Sequence, residues 1–386
     1  MTIAESCADA RAASPRMVVS AHRGGVEVIE HWADEWRDLC NHSTHDQPFY
    51  RPEWIAAHIR AFTPQAKIVL LTVTSEGKLL FVLPLLQEWS FFSGVPVRKL
   101  RAPVNSHSCR FDAVRHSSSQ GEAAVLAAWE YLQNLRSWDL LEISDVLEES
   151  TISGLALAAS KKGFHTVQVP SLTNPYVPIP PNAADLKKLP VNARLRGKLR
   201  HIRREIESHG GMTFHRIENA DQATLDRFYE LESAGWKGRE GSAIACNSNT
   251  RKFYGEIAKS AERFGYLCIY TLELNGELLA AHFGLSHRGR YFSPKVAYNE
   301  KLPQYAGGHL IVSEILQDCS ARGIAEYDIT GVSDDWKMKW TSQFLSKSVY
   351  YIFRRGLPGS LAHALRFHMR PAVKKLFQRI RPAEAR

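Results

Sequence analysis

Apolar and polar residues alternate from Tyr266 to Glu273, and the alternation stops at Asn275-Gly276, a dipeptide suited to a two-residue hairpin. Leu278 to Ser286 and Arg290 to Ala297 continue as two further strand-like runs, hinged at Arg288-Gly289. The period then changes. Leu310, Ile311, Glu314, Ile315, Gln317 and Asp318 follow a helical repeat with one apolar stripe that ends at Gly323, placed as a glycine just past a helix end. Ala325 to Thr330 is a short strand running into Gly331, and a closing strand follows, so the predicted order is β-β-β-loop-α-β-β.

The loop in that series, Tyr305-Ala306-Gly307-Gly308-His309-Leu310, sets two glycines ahead of a helix. Consecutive main-chain N–H groups can converge there on an anion, helped by the positive end of the helix dipole. A plain turn is the competing reading.

A similar order of elements occurs earlier, at a spacing of roughly 190 residues. Helix-like Glu53 to Phe62 precedes VLLTVTSEGKLLFVLPLL as Lys252 to Phe264 precedes YLCIYTLELNGELLAAHFGL. Trp138 to Ser144 follows a helix ending near Arg136, as Ala325 to Thr330 follows one ending near Arg322. The expected architecture is α/β (α+β): tandem units, each a mixed, mostly antiparallel sheet flanked by helices. The first unit has no Gly-Gly cradle, since NSHSCRFDAVRHSSSQGE carries only Gly121, so it is expected to shape the cleft rather than bind a cofactor. Pro170 to Pro181 holds five prolines and reads as an extended connection. The expected segments are a disordered leader (1–16), an N-terminal domain (17–170), a C-terminal catalytic domain (171–356) and a basic amphipathic tail (357–386).

The net charge of +9 is concentrated in two places. Lys187 to Arg204 carries eight Lys or Arg and no acid; Arg354 to Arg386 carries nine against Glu384 alone, which leaves the body acidic. This distribution argues against a DNA-coating protein. The first basic element is predicted to be a helix from Ala193 to about Ser208 with Asn192 as N-cap, burying Leu195, Leu199, Ile202 and Ile206 and turning its arginines outward. The second places Leu361, Leu365, Met369, Val373, Leu376 and Ile380 on a stripe broken by Pro371; it either lies on an anionic membrane surface or packs on the body.

Six scattered cysteines without a CxxC pair, and histidines that occur singly, point to no metal and no disulfide framework. No apolar run reaches the roughly 18 residues needed to span a bilayer. The Ala-rich leader carries acids before any apolar core and does not read as a secretory signal, which suggests a cytoplasmic protein. Dinucleotide, P-loop, zinc-protease and nucleophile-elbow motifs do not occur.

Taken together, PFYRPEW (Pro48 to Trp54), RLRGKLRHIRRE (Arg194 to Glu205), FYELESAGWKGREG (Phe228 to Gly241), RYFSPKVAYNE (Arg290 to Glu300), YAGGHL and DWKMKW (Asp335 to Trp340) resemble the GNAT acyltransferase superfamily. More narrowly, the chain is similar to the cellulose-biosynthesis acetyltransferases of the CelD type, relatives of the FemAB-like aminoacyl transferases. It departs from that branch in having Ala306 in place of serine and Gly307 in place of proline. The resemblance implies acyl transfer from acetyl-coenzyme A, or another acyl-coenzyme A, to an amine of a small molecule or envelope polysaccharide precursor. An aminoacyl-tRNA donor, or a non-catalytic scaffold in polysaccharide biosynthesis, are the alternatives. It implies a cofactor site at Val296, Tyr305, Ala306, Gly307, Gly308 and His309, and acceptor or donor contacts at Arg196, Arg200, Trp236, Lys237, Arg239, Lys295, Trp336 and Lys337. The helix arginines could equally form a solvated face, and Lys337 a surface charge.

Amine attack requires removal of a proton, because an alkylammonium with a pKa of roughly 10 is mostly protonated at neutral pH. Developing negative charge requires preset donors, commonly at a splayed strand. Pro294 inside RYFSPKVAY cannot donate to a ladder and predicts an edge or a bulge. Four residues are candidates for the proton-handling group. His282 lies on the Ala280-His282-Gly284 face, and a structural histidine is the rival reading. Glu232 and Glu240 flank the GWKGR loop, as base or as partner of Arg239. Asp328 follows the cofactor helix and either orients an amine or sits in a turn or salt bridge.

Overall fold

The computed structural model describes residues 16–209, 211–219 and 221–369; most of the expected leader and residues 370–386 of the basic tail lie outside them. The first half of the chain contains β1 (Met17–Gly24), α1 (Glu27–His31), α2 (Ala33–Asn41), α3 (Pro52–Phe62), β2 (Lys67–Ser75), β3 (Lys78–Phe92), β4 (Val95–Arg101), β5 (Val114–Arg115), α4 (Ser119–Asn134), β6 (Leu140–Leu147), α5 (Thr151–Lys161) and β7 (His165–Pro178). The second half contains α6 (Ala193–His209), β8 (Met212–Ile217), α7 (Gln222–Ala234), α8 (Trp236–Arg239), α9 (Ser248–Arg263), β9 (Ile269–Leu274), β10 (Glu277–His287), β11 (Arg290–Tyr298), α10 (Gly307–Ala321), β12 (Glu326–Asp328), β13 (Phe344–Phe353) and α11 (Leu357–Ala364). This is the expected mixed α/β architecture, a mostly antiparallel sheet flanked by helices.

The internal repeat is visible in the turns. Strands β2, β3 and β4 are joined through Glu76-Gly77 and Ser93-Gly94, and β9, β10 and β11 through Asn275-Gly276 and Arg288-Gly289. All eight turn residues have positive φ, the conformation that matches a two-residue turn to the twist of its strands. Each set of three strands is then followed by a crossover helix into a parallel partner: α4 lies between β4 and β6, α10 between β11 and β12.

The two halves are interlocked at their last strands. The order β4-β6-β13-β7-β12-β11 places β13 against β6 of the first half and β7 against β12 of the second. The proline-rich stretch read as a connection is therefore largely strand. Residues 165–175 of β7 pair with β13, with a register slip where Pro170 to Thr173 face Ser348 to Ser346, and Tyr176–Pro178 pair with β12. The expected boundary near residue 170 falls inside this strand.

One apolar core runs across both halves: Phe49 meets Phe292 edge-on at 5.3 Å, and Trp54 meets Phe253 at 5.2 Å between α3 and α9. A second core lies on the opposite sheet face beneath α6 and α10. There Leu195, Leu199, Ile202 and Ile206 are buried as the periodicity predicted, and Asn192 caps α6 by accepting from the N–H groups of Arg194 and Leu195. Each such buried aliphatic side chain contributes roughly 1.5–3 kcal/mol.

Candidate functional site

Strands β11 and β12 pair only at Arg290–Glu326, Tyr291–Tyr327 and Phe292–Asp328 and then separate. Two local features account for this. Pro294 has no N–H to offer β12, and the β10–β11 register slips between Phe283 and Leu285, making Ser293-Pro294 a bulge. Of the edge and the bulge that Pro294 predicted, the bulge is observed; β11 is an interior strand. β12 meanwhile turns away at Thr330-Gly331, both with positive φ.

A cavity of about 520 Å³ opens at this split. Its walls come from Val296 to Asn299 of β11 and the residue after it, the first turn of α10, Trp236 and Lys237 of α8, and Asp334 and Trp336 of the loop after β12. Such a volume is ordinary for a small-molecule or cofactor site.

Helix α10 enters this wall through Ala306, whose left-handed φ of 47° reverses the chain after the turn Pro303–Tyr305. Gly307 is required by packing: a Cβ there would stand 2.8 Å from Leu279 Cγ and 2.9 Å from its carbonyl oxygen, so the helix start rests directly on β10. Gly308 faces the cavity wall, where a Cβ would approach the Tyr298 ring at 3.3 Å. In this first turn the His309 N–H donates to the Ala306 carbonyl at 2.8 Å, which leaves the N–H groups of Gly307 and Gly308, both at the cavity wall, without an intrahelical acceptor. His309 also lines it. Its Nδ1 accepts from Trp340 Nε1 at 3.1 Å, which places the ring proton on Nε2. Burial, with Lys339 and Lys198 nearby, pushes its pKa down to about 4. Tyr305 packs instead on the core beneath α6 and α10.

The GWKGR loop is built on α7. A Cβ at Gly238 would lie 1.8 Å from the Ser233 carbonyl oxygen, so glycine permits the tight α7–α8 turn. Lys237 Nζ donates to the Val296 carbonyl at 2.6 Å and to Glu232 Oε1 at 2.9 Å, tying α8 to the splayed edge of β11. Glu232 is buried, and its other oxygen accepts from Ile244 N–H at 2.8 Å, so both oxygens are engaged. Lys295 lies 3.9 Å from Glu232 and over the Tyr254 ring, with its pKa lowered by burial. Arg239 pairs with Glu300 at 2.8 Å rather than with Glu240, which is exposed. Glu300 also accepts from Trp236 N–H at 2.8 Å.

Of the four proton-handling candidates, only His282 borders the cavity. Its Nδ1 lies 3.0 Å from Ser293 Oγ and 3.3 Å from the Tyr327 hydroxyl, and burial pushes its pKa down to about 3, so the ring is neutral at physiological pH. Asp328 is wholly buried, 2.5 Å from Arg110, and also accepts from Asn174 Nδ2 and Thr330 N–H. Lys337, expected at the substrate or at the surface, is buried: its Nζ donates to the carbonyls of Thr330 and Val332 at 2.9 and 2.8 Å and clamps the loop that carries Asp334 and Trp336. Arg196 donates to the carbonyls of Lys187 and Leu189, while Arg200 is exposed on the outer side of α6. Sequence reasoning missed Asp334, Tyr298 and Trp340. Asp334 adjoins the DWKMKW motif, and that adjacency was the available signal.

Among the described residues, no group of three or more His, Cys, Asp or Glu could hold a metal ion, and no helix is long and apolar enough to cross a membrane. Residues 193–338 match the family model described as "Acetyltransferase (GNAT) domain". No curated protein matches the chain. Among solved structures, the fold is similar to that of FemX (TM-score 0.58, 12% identity, 86% of this chain and 98% of that one). It is also similar to the C-terminal domain of a putative lysylphosphatidylglycerol synthetase from Agrobacterium fabrum (TM-score 0.51, 10% identity, 89% and 96%). At these identities the likeness is one of fold.

Proposed function

We propose that this chain, a member of the GNAT superfamily, is an N-acyltransferase that takes an acyl group, acetyl in the simplest case, from acyl-coenzyme A. The acceptor is an amine on a small molecule or an envelope polysaccharide precursor, and the reaction is assigned to the cytoplasm. The observation that carries this reading is the open first turn of α10 in the wall of a cavity at the β11–β12 split.

The residues present fit a coenzyme A diphosphate. Gly308 leaves the main chain bare on the cavity side, the helix start supplies N–H donors and a partial positive charge, and Lys198 and Lys339 lie close enough to depress the His309 pKa. The donor supplies a thioester-activated acyl group. Lys237 holds the Val296 carbonyl and so fixes the edge of the slot, and Trp236 and Trp336 border the cavity with flat apolar faces. Asp334 is the carboxylate that reaches the cavity, and we assign it the proton from the acceptor ammonium. His282, held neutral by burial, borders the cavity and is held by Ser293 and Tyr327 behind its wall.

Calorimetric titration with acetyl-coenzyme A tests this reading. Saturable binding is expected, and Gly308→Val, which fills the bare surface beside Tyr298, should abolish it while the protein stays folded at the assay temperature. Unchanged affinity in the variant would place the donor elsewhere. No binding to the natural chain would favour the aminoacyl-tRNA donor that the FemAB-like resemblance implies.

A further inference from the structure

The hairpin of β3 and β4 reaches beyond its sheet neighbours. β2 pairs with β3 only as far as Gln87, and β6 pairs with β4 only from Lys99, so Glu88 to Arg98 form a two-stranded arm. One face of the arm is covered: Phe92, Val95 and Val97 pack with Ala362, Leu365 and Phe367 of α11 and the turn after it. The other face is bare. Trp89 and Phe91 are 75% and 78% exposed, with Pro96, also exposed, opposite Phe91. Leu357 and Leu361, one turn apart on α11, are 88% and 51% exposed. A two-stranded ribbon with large aromatic side chains in water is costly to maintain unless something covers it.

The charge around the arm indicates what that cover is. Arg98, the cross-strand neighbour of Trp89, lies 2.7 Å from Asp139 and clusters with Arg136 and Arg354, whose pKa is lowered by burial and then by the charges of Arg98 and Arg136. Phe367 packs on Tyr351 and Phe353 beneath the arm, and residues 370–386 follow it in the sequence. That stretch carries six Lys or Arg against Glu384 alone.

We propose that the arm is a membrane foot: Trp89 and Phe91 enter the interface of an anionic bilayer, and the arginine cluster beside them binds its headgroups. Tryptophan is favoured at the headgroup level of a bilayer, and a basic segment adds attraction to anionic lipid. Sequence alone suggested only the basic amphipathic tail as a membrane contact, and the arm is a second element with an exposed aromatic face.

Cosedimentation of the full chain with vesicles tests the proposal, comparing phosphatidylcholine alone with phosphatidylcholine mixed with phosphatidylglycerol. Binding to the anionic vesicles is expected, and Trp89→Ser/Phe91→Ser should weaken it by at least roughly tenfold, with the melting temperature and acetyl-coenzyme A binding unchanged because both side chains lie outside the cores. Unchanged vesicle binding in the double variant, or none by the natural chain, would overturn it. A dimer in solution that the double variant converts to monomer would also overturn it, by assigning the arm to a second copy of the chain.

Discussion

Asp328→Asn separates a catalytic carboxylate from a structural one. Asp328 accepts from Arg110 at 2.5 Å through one oxygen, and from Asn174 Nδ2 at 2.8 Å and Thr330 N–H at 2.9 Å through the other. Both charged side chains are fully buried, and the pair joins the loop before β5 to β12, across the two halves. Asparagine keeps the one oxygen that accepts from both Asn174 and Thr330 but leaves the Arg110 guanidinium buried without its counter-charge. Removing one member of such a pair costs about 3–5 kcal/mol. Asp328→Ala, which strands two further donors, should cost about 1 kcal/mol more for each. Urea denaturation followed by tryptophan fluorescence reads these differences. The charge-free pair Arg110→Met/Asp328→Leu should recover most of the loss, because it removes both buried charges together. An Asp328→Asn protein as stable as the natural chain, yet without transferase activity, would refute this reasoning and return Asp328 to the reacting groups.

Two other predictions follow from packing and from titration. Gly307→Ala should destabilise the protein by about 1–3 kcal/mol, since its Cβ meets Leu279 side chain and backbone together, whereas Gly308→Ala, against the movable Tyr298 ring, should melt within a few degrees of the natural chain. Burial lowers the pKa of His58 to about 4 and that of His282 to about 3, both below the 6.5 of an unfolded histidine. The unfolded chain therefore binds more protons as pH falls from 6.5, and each residue should subtract roughly 2 kcal/mol of stability by pH 5, read as a falling denaturation midpoint that flattens in His58→Gln/His282→Gln.

The parts of the fold that the sequence displays are those fixed by local chemistry. Asn275-Gly276 sets a hairpin through its own φ angles, Asn192 caps α6 through its own side chain, and Pro294 forces a bulge because it lacks a donor. The α10 start was legible for the same reason, although its two glycines have different tasks that only the positions of Leu279 and Tyr298 separate. The exchange of β7 and β13 was not legible, because strand order depends on pairing between distant segments and the five prolines near residue 170 read locally as a connection. The occupations of Glu232, Asp328 and Lys337 were hidden likewise: each is decided by partners such as Ile244 N–H, Arg110 or the Thr330 carbonyl, whose proximity no local motif encodes. Asp334 borders the cavity because Lys337 folds its loop inward.

A crystal structure of the chain with coenzyme A bears most directly on the central claim. The diphosphate is expected against the main-chain N–H groups at the start of α10, and the pantetheine arm in the gap between β11 and β12, beside Val296. Coenzyme A bound elsewhere, with that first turn left to solvent, would contradict it.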